Sequence, residues 1–200
     1  MRIVCLDLEG VLIPEIWLGL SERTGIEDLS ITTRDVPDYN ALMRRRIEIL
    51  DANGLRIHDL LEVVARIEPL PGALEFLRRL RERLQVAILS DTFYQFAPPI
   101  MEQLDWPLLL CNDLVVDQDG WIVDFRMRHS AGKRHAVEAF RDMGLEVFAA
   151  GDSHNDLGML HAADRGALFR APEAIQQAET DLKAYDDFDD LLEAMSGDFK

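Results

Sequence analysis

The sequence predicts an α/β fold: a Rossmann-like parallel sheet core with an inserted helical cap. Three observations predict it. Short apolar runs at Ile3-Val4-Cys5-Leu6, Val86-Ala87-Ile88-Leu89 and Val147-Phe148-Ala149-Ala150 each run into polar residues. Buried parallel strands have this pattern and present ligand groups at their carboxyl ends. After the second run, strands alternate with helical patterns, which indicates a parallel sheet covered on both faces. Between the first two runs the periodicity is helical, not strand-like. Residues 14–70 are therefore assigned to the cap, and residues 1–13 and 71–200 to the α/β core.

The first strand spans about residues 2–7. Residues 15–24 and 40–52 read as amphipathic helices. Leu60, Val63, Val64 and Ile67 repeat at i, i+3, i+4 and i+7, which places a third helix at 57–68. Pro69 and Pro71-Gly72 punctuate the chain before a helix over Ala73–Arg83 that feeds a strand at 85–90. A helix is expected over 94–104, kinked or delayed by Pro98-Pro99. Residues 108–127 read as short strands with a hairpin turn at Asp117-Gln118-Asp119-Gly120. A helix over Lys133–Met143, a strand at 145–150, a helix over Asp156–Ala162 and a short strand at Gly166–Phe169 follow. The run Asp186-Asp187-Phe188-Asp189-Asp190 leads into a final helix.

Of the 200 residues, 48% are hydrophobic, enough for a sizeable core. The net charge of −16 argues against a nucleic-acid partner, whose phosphates need a basic face, and against an anionic membrane surface. Cys5 and Cys111 lie in apolar runs and read as buried free thiols. No apolar run approaches the ~18 residues of a membrane span. Asp7 and Glu9 interrupt the N-terminus too early for a signal peptide, so a cytoplasmic location is expected.

A carboxylate at the end of a buried strand is costly without a charged partner. Asp7 and Glu9 stand two residues apart at such an end, which points to a metal ion; an ordinary loop or helix-capping acid is the bland reading. Asp7 can act as a nucleophile toward phosphorus, forming an aspartyl phosphate. Glu9 can serve as general acid and base. Ser90, Lys133, Asp152 and Asn155 add a hydroxyl, a cation, a metal carboxylate and an amide. Phosphoryl transfer uses these parts, because its catalysis rests on positioning and charge neutralisation. An oxygen-only donor set with few carboxylates suits Mg2+.

Asp7-Leu8-Glu9-Gly10-Val11, Ser90, Lys133 and Gly151-Asp152-Ser153-His154-Asn155-Asp156 match, in order, the four motifs of the haloacid dehalogenase superfamily of phosphatases. Within it the chain resembles the phosphoserine phosphatases. The likeness is nearest to the ThrH-type branch of bifunctional phosphoserine phosphatase/homoserine phosphotransferases. Glu9 in place of the usual second aspartate, Pro14-Glu15-Ile16-Trp17 and Leu89-Ser90-Asp91-Thr92-Phe93-Tyr94 carry that closer match, which fades after about Pro172. The resemblance implies a haloacid dehalogenase-like core under a four-helix cap, and a metal held by Asp7, Asp152 and the backbone carbonyl of Glu9. It also implies phosphoserine as substrate, water or homoserine as acceptor, and a homodimer.

In the cap, Arg46 lies three or four residues from Leu42, Met43, Ile49 and Leu50, so it projects from the apolar face of its helix. An arginine there needs an anion, and a substrate carboxylate suits its bidentate fork. Glu15 can take an ammonium group. The resemblance assigns these two jobs to Glu15 and Arg46; a structural ion pair between them is the alternative. Ser90 and Lys133 are assigned to phosphate, with a helix cap and a solvated lysine as their bland readings. Asn155 bonds phosphate or orients Lys133. Asp91 touches a substrate ammonium or caps the next helix. Asp156 holds a water on the metal or is a helix-start acid, and His154 is expected exposed on its loop. Two other functions compete: a phosphatase of the same fold for another phosphomonoester, and a receiver-like phospho-acceptor module. The 14–70 insertion and the Gly151–Asp156 motif argue against the latter.

Overall fold

The structure is a computed structural model that describes residues 1–32, 35, 36 and 38–197. Among the described residues seven strands form one sheet: β1 (Arg2–Leu6), β2 (Gln85–Phe93), β3 (Leu108–Val116), β4 (Ile122–Arg126), β5 (Glu146–Gly151), β6 (Arg165–Phe169) and β7 (Lys183–Tyr185). Their order is β4-β3-β2-β1-β5-β6-β7, parallel throughout except for the antiparallel β3–β4 hairpin. The strand order reverses at β1, where β2 lies on one side and β5 on the other. Ligands of open α/β sheets bind at that switch point, outside the carboxyl ends of the strands.

Side chains alternate across β1, as the period of a strand requires. Val4 and Leu6 join one apolar layer, with Ile88 and Phe148 from the neighbouring strands. Ile3 and Cys5 join the opposite layer, with Ala87, Leu89, Val147 and Ala149. Helices α6 (Gly132–Asp142) and α7 (Leu157–Ala162) cover the second layer; α4 (Ala73–Arg81) and α9 (Phe188–Ser196) cover the first. Phe188 of α9 stacks on Phe76 of α4, with ring centroids 4.8 Å apart. Both cysteines are buried and unpaired, as their apolar settings predict.

Between β1 and α4 lie α1 (Ile16–Thr24), a 3-10 turn at Glu27–Ser30, α2 (Tyr39–Ala52) and α3 (Ile57–Val64). The 14–70 assignment also includes Thr33, Arg34 and Pro37, which lie outside the described residues. The tip of the β3–β4 hairpin touches this helical segment: the Gly120 carbonyl accepts from the Ile57 N–H at 2.9 Å, and the Arg56 guanidinium lies 4.8 Å from the Trp121 ring centroid.

Several boundaries depart from the sequence expectation. Helix α5 (Ala97–Gln103) starts three residues later than expected, with its prolines in the first turn, where a missing N–H costs nothing. Helix α3 stops at Val64, and Ile67 reaches the core from the turn beyond. Strand β2 continues past 90 to Phe93 through an irregularity between Leu89 and Phe93. Helix α8 (Glu173–Ala178) and β7 were not anticipated. No helix among the described residues is long and apolar enough to cross a membrane.

Candidate active site

The β1 ladder runs one residue past the strand, with the Asp7 N–H donating to the Ala150 carbonyl at 3.0 Å. This delivers the Asp7 side chain to the switch point, 4% exposed. Its Oδ1 accepts from the Leu8 N–H at 2.7 Å and lies 2.9 Å from Lys133 Nζ. Lys133 sits in the first turn of α6, a poor place for a cation because the helix dipole is positive there. Carboxylates compensate: Asp156 Oδ1 at 2.7 Å, Asp7 at 2.9 Å and Asp91 Oδ2 at 3.9 Å. Burial works against the Lys133 charge, but Asp156, Asp7 and Asp91 outweigh it and hold its pKa well above the ordinary value.

The fourth motif folds around Asp156, which is fully buried. Its Oδ2 accepts from the N–H groups of Asp152 and Ser153, both at 3.0 Å, and from Ser153 Oγ at 3.1 Å. Asp156 thus closes its own turn and anchors Lys133. A helix-start acid is only half of its role: Oδ2 is filled by its own turn, while Oδ1 takes Lys133. Two glycines create the space. A Cβ on Gly151 would stand 2.4 Å from Asp156 Cγ, and one on Gly10, where φ is +78°, would stand 2.4 Å from Asp152 Oδ2. Only glycine lets the Asp7–Gly10 turn and the Asp152 carboxylate come together.

Oxygens of Asp7, Asp152 and Asp156 lie within 4.8 Å of one another. Burial, reinforced by Asp156, pushes the Asp7 carboxyl well above the usual range. Burial and then Asp156 raise Asp152 to about 7. Carboxyls this close repel unless a cation joins them. Asp7 Oδ2 and the Glu9 carbonyl accept no hydrogen bond from the described residues, and the Asp152 carboxylate meets only its own backbone N–H. That oxygen-only set fits a hard divalent cation such as Mg2+.

The Glu9 side chain points away from that set. Its Oε2 accepts from the Ile16 N–H at 2.8 Å, tying the first motif to the start of α1. Burial, followed by the nearby Glu15 charge, raises its pKa to about 8, against the pull of the Ile16 N–H and Arg46. A carboxyl in this state is protonated at neutral pH and able to donate a proton to a leaving oxygen.

Strand β2 supplies Ser90 and Asp91 where its pairing becomes irregular, a common way to re-aim side chains beside a site. Ser90 is buried, its Oγ accepting from the Thr92 N–H at 3.2 Å. Asp91 does not cap the next helix, which begins only after Phe96. Its carboxylate instead accepts from Asn155 Nδ2 at 2.9 Å. Asn155 also takes the Ser153 hydroxyl. Asn155 does not reach Lys133; Asp156 orients the lysine instead. His154 is exposed, as expected.

Arg46 is 7% exposed, and its guanidinium carbon lies 4.3 Å from the Trp17 ring centroid. Nη2 donates to the Ile31 carbonyl at 2.7 Å and Nη1 lies 3.8 Å from Met43 sulfur, but the buried Nε has no acceptor. Burial lowers the Arg46 pKa to about 10, so the group stays charged at neutral pH. Glu15 is exposed at the start of α1, and no ion pair joins the two among the described residues. Sequence reasoning missed Tyr39, Trp17 and Asn112 here. Tyr39 precedes Arg46 by seven residues on α2, a spacing that puts both on one face.

The haloacid dehalogenase-like hydrolase family matches residues 1–164, and the chain belongs to that family. The chain is 50% identical over 191 residues to the phosphoserine phosphatase ThrH of Pseudomonas aeruginosa, an alignment covering 96% of this chain and 93% of that protein. It is 49% identical over 191 residues to a phosphoserine phosphatase of Pseudomonas syringae pv. tomato, covering 96% and 81%. The crystal structure of a phosphoserine phosphatase in apo form superposes with a TM-score of 0.79 at 22% identity, covering 96% of this chain and 98% of that one, a likeness of fold.

Proposed function

We propose that the chain is a magnesium-dependent phosphoserine phosphatase in which Asp7 is the nucleophile and residues 14–70 form the cap that selects the substrate. Two relatives of about 50% identity bear that name. The observation in this chain that carries the substrate reading is Arg46: a buried guanidinium that forms no ion pair among the described residues, with Glu9 and Glu15 acting on it only as nearby charges and its Nε lacking an acceptor. An unsatisfied buried cation calls for an anion, and a substrate carboxylate supplies one.

Asp7, Asp152 and the Glu9 carbonyl would hold Mg2+, which when bound neutralises charge between Asp7 and a phosphate dianion. Lys133 lies 2.9 Å from Asp7 and fixes its carboxylate, one oxygen of which attacks phosphorus while the other faces the metal. As the phosphorus–oxygen bond to serine breaks, Glu9 gives its proton to the serine oxygen, and Asp7 becomes an aspartyl phosphate. Glu9, now a carboxylate, takes a proton from the incoming water, whose oxygen bonds to phosphorus as the bond from phosphorus to Asp7 breaks, giving free phosphate and restoring the Asp7 carboxylate. Ser90 and Lys133 hold the phosphoryl oxygens, while Arg46 and Glu15 hold the carboxylate and ammonium of the amino acid.

Homoserine differs from serine by one methylene, which a pocket rejects by only about 1–3 kcal/mol. It is therefore a candidate second acceptor. A panel of phosphomonoesters assayed with Mg2+ tests the reading: phosphoserine should exceed sugar and nucleotide phosphates in kcat/KM, and equal rates across the panel would refute it. Adding homoserine should divert part of the phosphate into phosphohomoserine; release of phosphate alone at large homoserine excess would make the enzyme a hydrolase only.

A further inference from the structure

We propose that Tyr39 is a positioning residue whose hydroxyl, bonded to the Asp91 carbonyl, holds α2 over the carboxyl end of β2 and so sets where Arg46 stands relative to Asp7 and Lys133. The proposal rests on the reading above that Arg46 receives the substrate carboxylate. Tyr39 Oη donates to the Asp91 carbonyl at 2.8 Å, and this is the hydrogen bond that joins α2 to the sheet among the described residues. The acceptor is held from below. Asn112, buried in β3, donates Nδ2 to the same carbonyl at 3.1 Å, and its Oδ1 accepts from the Arg128 N–H at 3.0 Å. The Asp91 side chain is fixed in turn by Asn155, and Ser90 precedes it in the chain. A hydroxyl from α2 therefore lands on the rigid peptide that links the serine, lysine and amide groups of the phosphate end.

The lever is short. Seven residues of helix separate Tyr39 from Arg46, about 10 Å and close to two full turns, so both project from one face. The Tyr39 ring packs edge-on against Phe125 of β4 with centroids 6.3 Å apart. That contact is apolar and non-directional, so it keeps α2 near the sheet without fixing its register. The hydrogen bond supplies the register. Arg46 itself bonds only within the helical segment, to Ile31, and cannot locate α2 over the sheet.

Tyr39→Phe removes the hydroxyl, keeps the ring on Phe125 and leaves the Asp91 carbonyl bonded to Asn112, so the fold should hold with a melting temperature near that of the parent. With phosphoserine, kcat/KM should fall about three- to tenfold, chiefly through KM. With p-nitrophenyl phosphate, which has neither carboxylate nor ammonium, it should stay within about twofold. In an Arg46→Ala background the Tyr39→Phe effect on phosphoserine should largely vanish, since the two act as one unit. Equal losses on both substrates, or full additivity in the double variant, would overturn the proposal. Hydrogen exchange on the free protein separates its failure from that of the substrate reading. Amides of α2 should exchange faster in Tyr39→Phe whatever the substrate, and unchanged exchange overturns the tether. Faster exchange together with an Arg46→Ala variant that does not discriminate between the two substrates overturns the carboxylate reading, and with it the specificity role of Tyr39.

Discussion

The two ends of the proposed site handle charge in opposite ways. At the phosphate end, Lys133 is enclosed by Asp7, Asp91 and Asp156, and Asp7 Oδ1, Asp91 Oδ2 and Asp156 Oδ2 accept from further N–H groups. At the cap end, Arg46 is just as buried but meets a carbonyl, a sulfur and a ring face, with one N–H unsatisfied. The first end is assembled before any ligand arrives, which suits chemistry that depends on fixed charges. The second is left incomplete, which suits a contact that only the correct ligand satisfies. Under the proposed reading, a substrate without a carboxylate is disfavoured because it leaves that cation unpaired.

The strongest way to break this comparison is at Asp7. Asp7→Asn should reduce turnover by three or more decades, about 4 kcal/mol in barrier. It should not unfold the protein, because the native environment already disfavours the Asp7 charge. Turnover within tenfold of the parent would mean that another group attacks phosphorus. Lys133→Met comes next. It leaves Asp7 and Asp156 buried without their cation, and breaking such a pair costs about 3–5 kcal/mol. For a chain of this size a melting temperature lowered by roughly 10 °C is expected, together with loss of activity; an unchanged melting temperature would show that the carboxylates do not depend on the lysine.

Arg46→Ala probes the other end and should behave differently. Loss of a charge-assisted hydrogen bond is worth about 1.5–3 kcal/mol, so kcat/KM for phosphoserine should drop by one to two decades. A phosphomonoester without a carboxylate should be nearly unaffected. Stability should change little or rise, because the variant removes a buried charge that the free protein leaves partly unsatisfied. Equal damage to both substrates would place Arg46 in phosphate binding or in structure.

The same contrast explains what could be read from sequence. The phosphate end was legible because its residues sit at the ends of apolar runs, where a polar group is conspicuous. Arg46 was legible from its place on an apolar helical stripe. The partnership of Asp156 with Lys133 was not, because it joins residues 23 apart through a turn whose packing depends on Gly151 having no side chain. Tyr39 was missed because an aromatic on an apolar face reads as core until its hydroxyl partner, 52 residues away, is known. The last strand, β7, has only three residues, and α8 six, too few to show a period.

The smallest expected effect concerns pH and metal. Folding raises Asp152 to about 7 and Glu9 to about 8, while an unfolded carboxyl titrates near ~4. Between these values the folded chain binds more protons than the unfolded one, so stability falls as pH rises. The contribution is complete below about pH 4 and is lost as pH passes through 7 to 8. Mg2+ acts in the opposite sense at Asp152 and Asp7, because it binds the deprotonated carboxylates. In EDTA, then, the melting temperature should decline steadily from pH 5 to pH 8. With millimolar Mg2+ the decline should shrink, and the stabilisation by the metal should grow with pH. Asp152→Asn should remove part of the slope and most of the metal response, and Glu9→Gln should remove another part of the slope while leaving the metal response. A metal effect independent of pH, or one that survives Asp152→Asn, would move the cation away from the Asp7–Asp152 pair and leave the crowded carboxylates there to Lys133 alone.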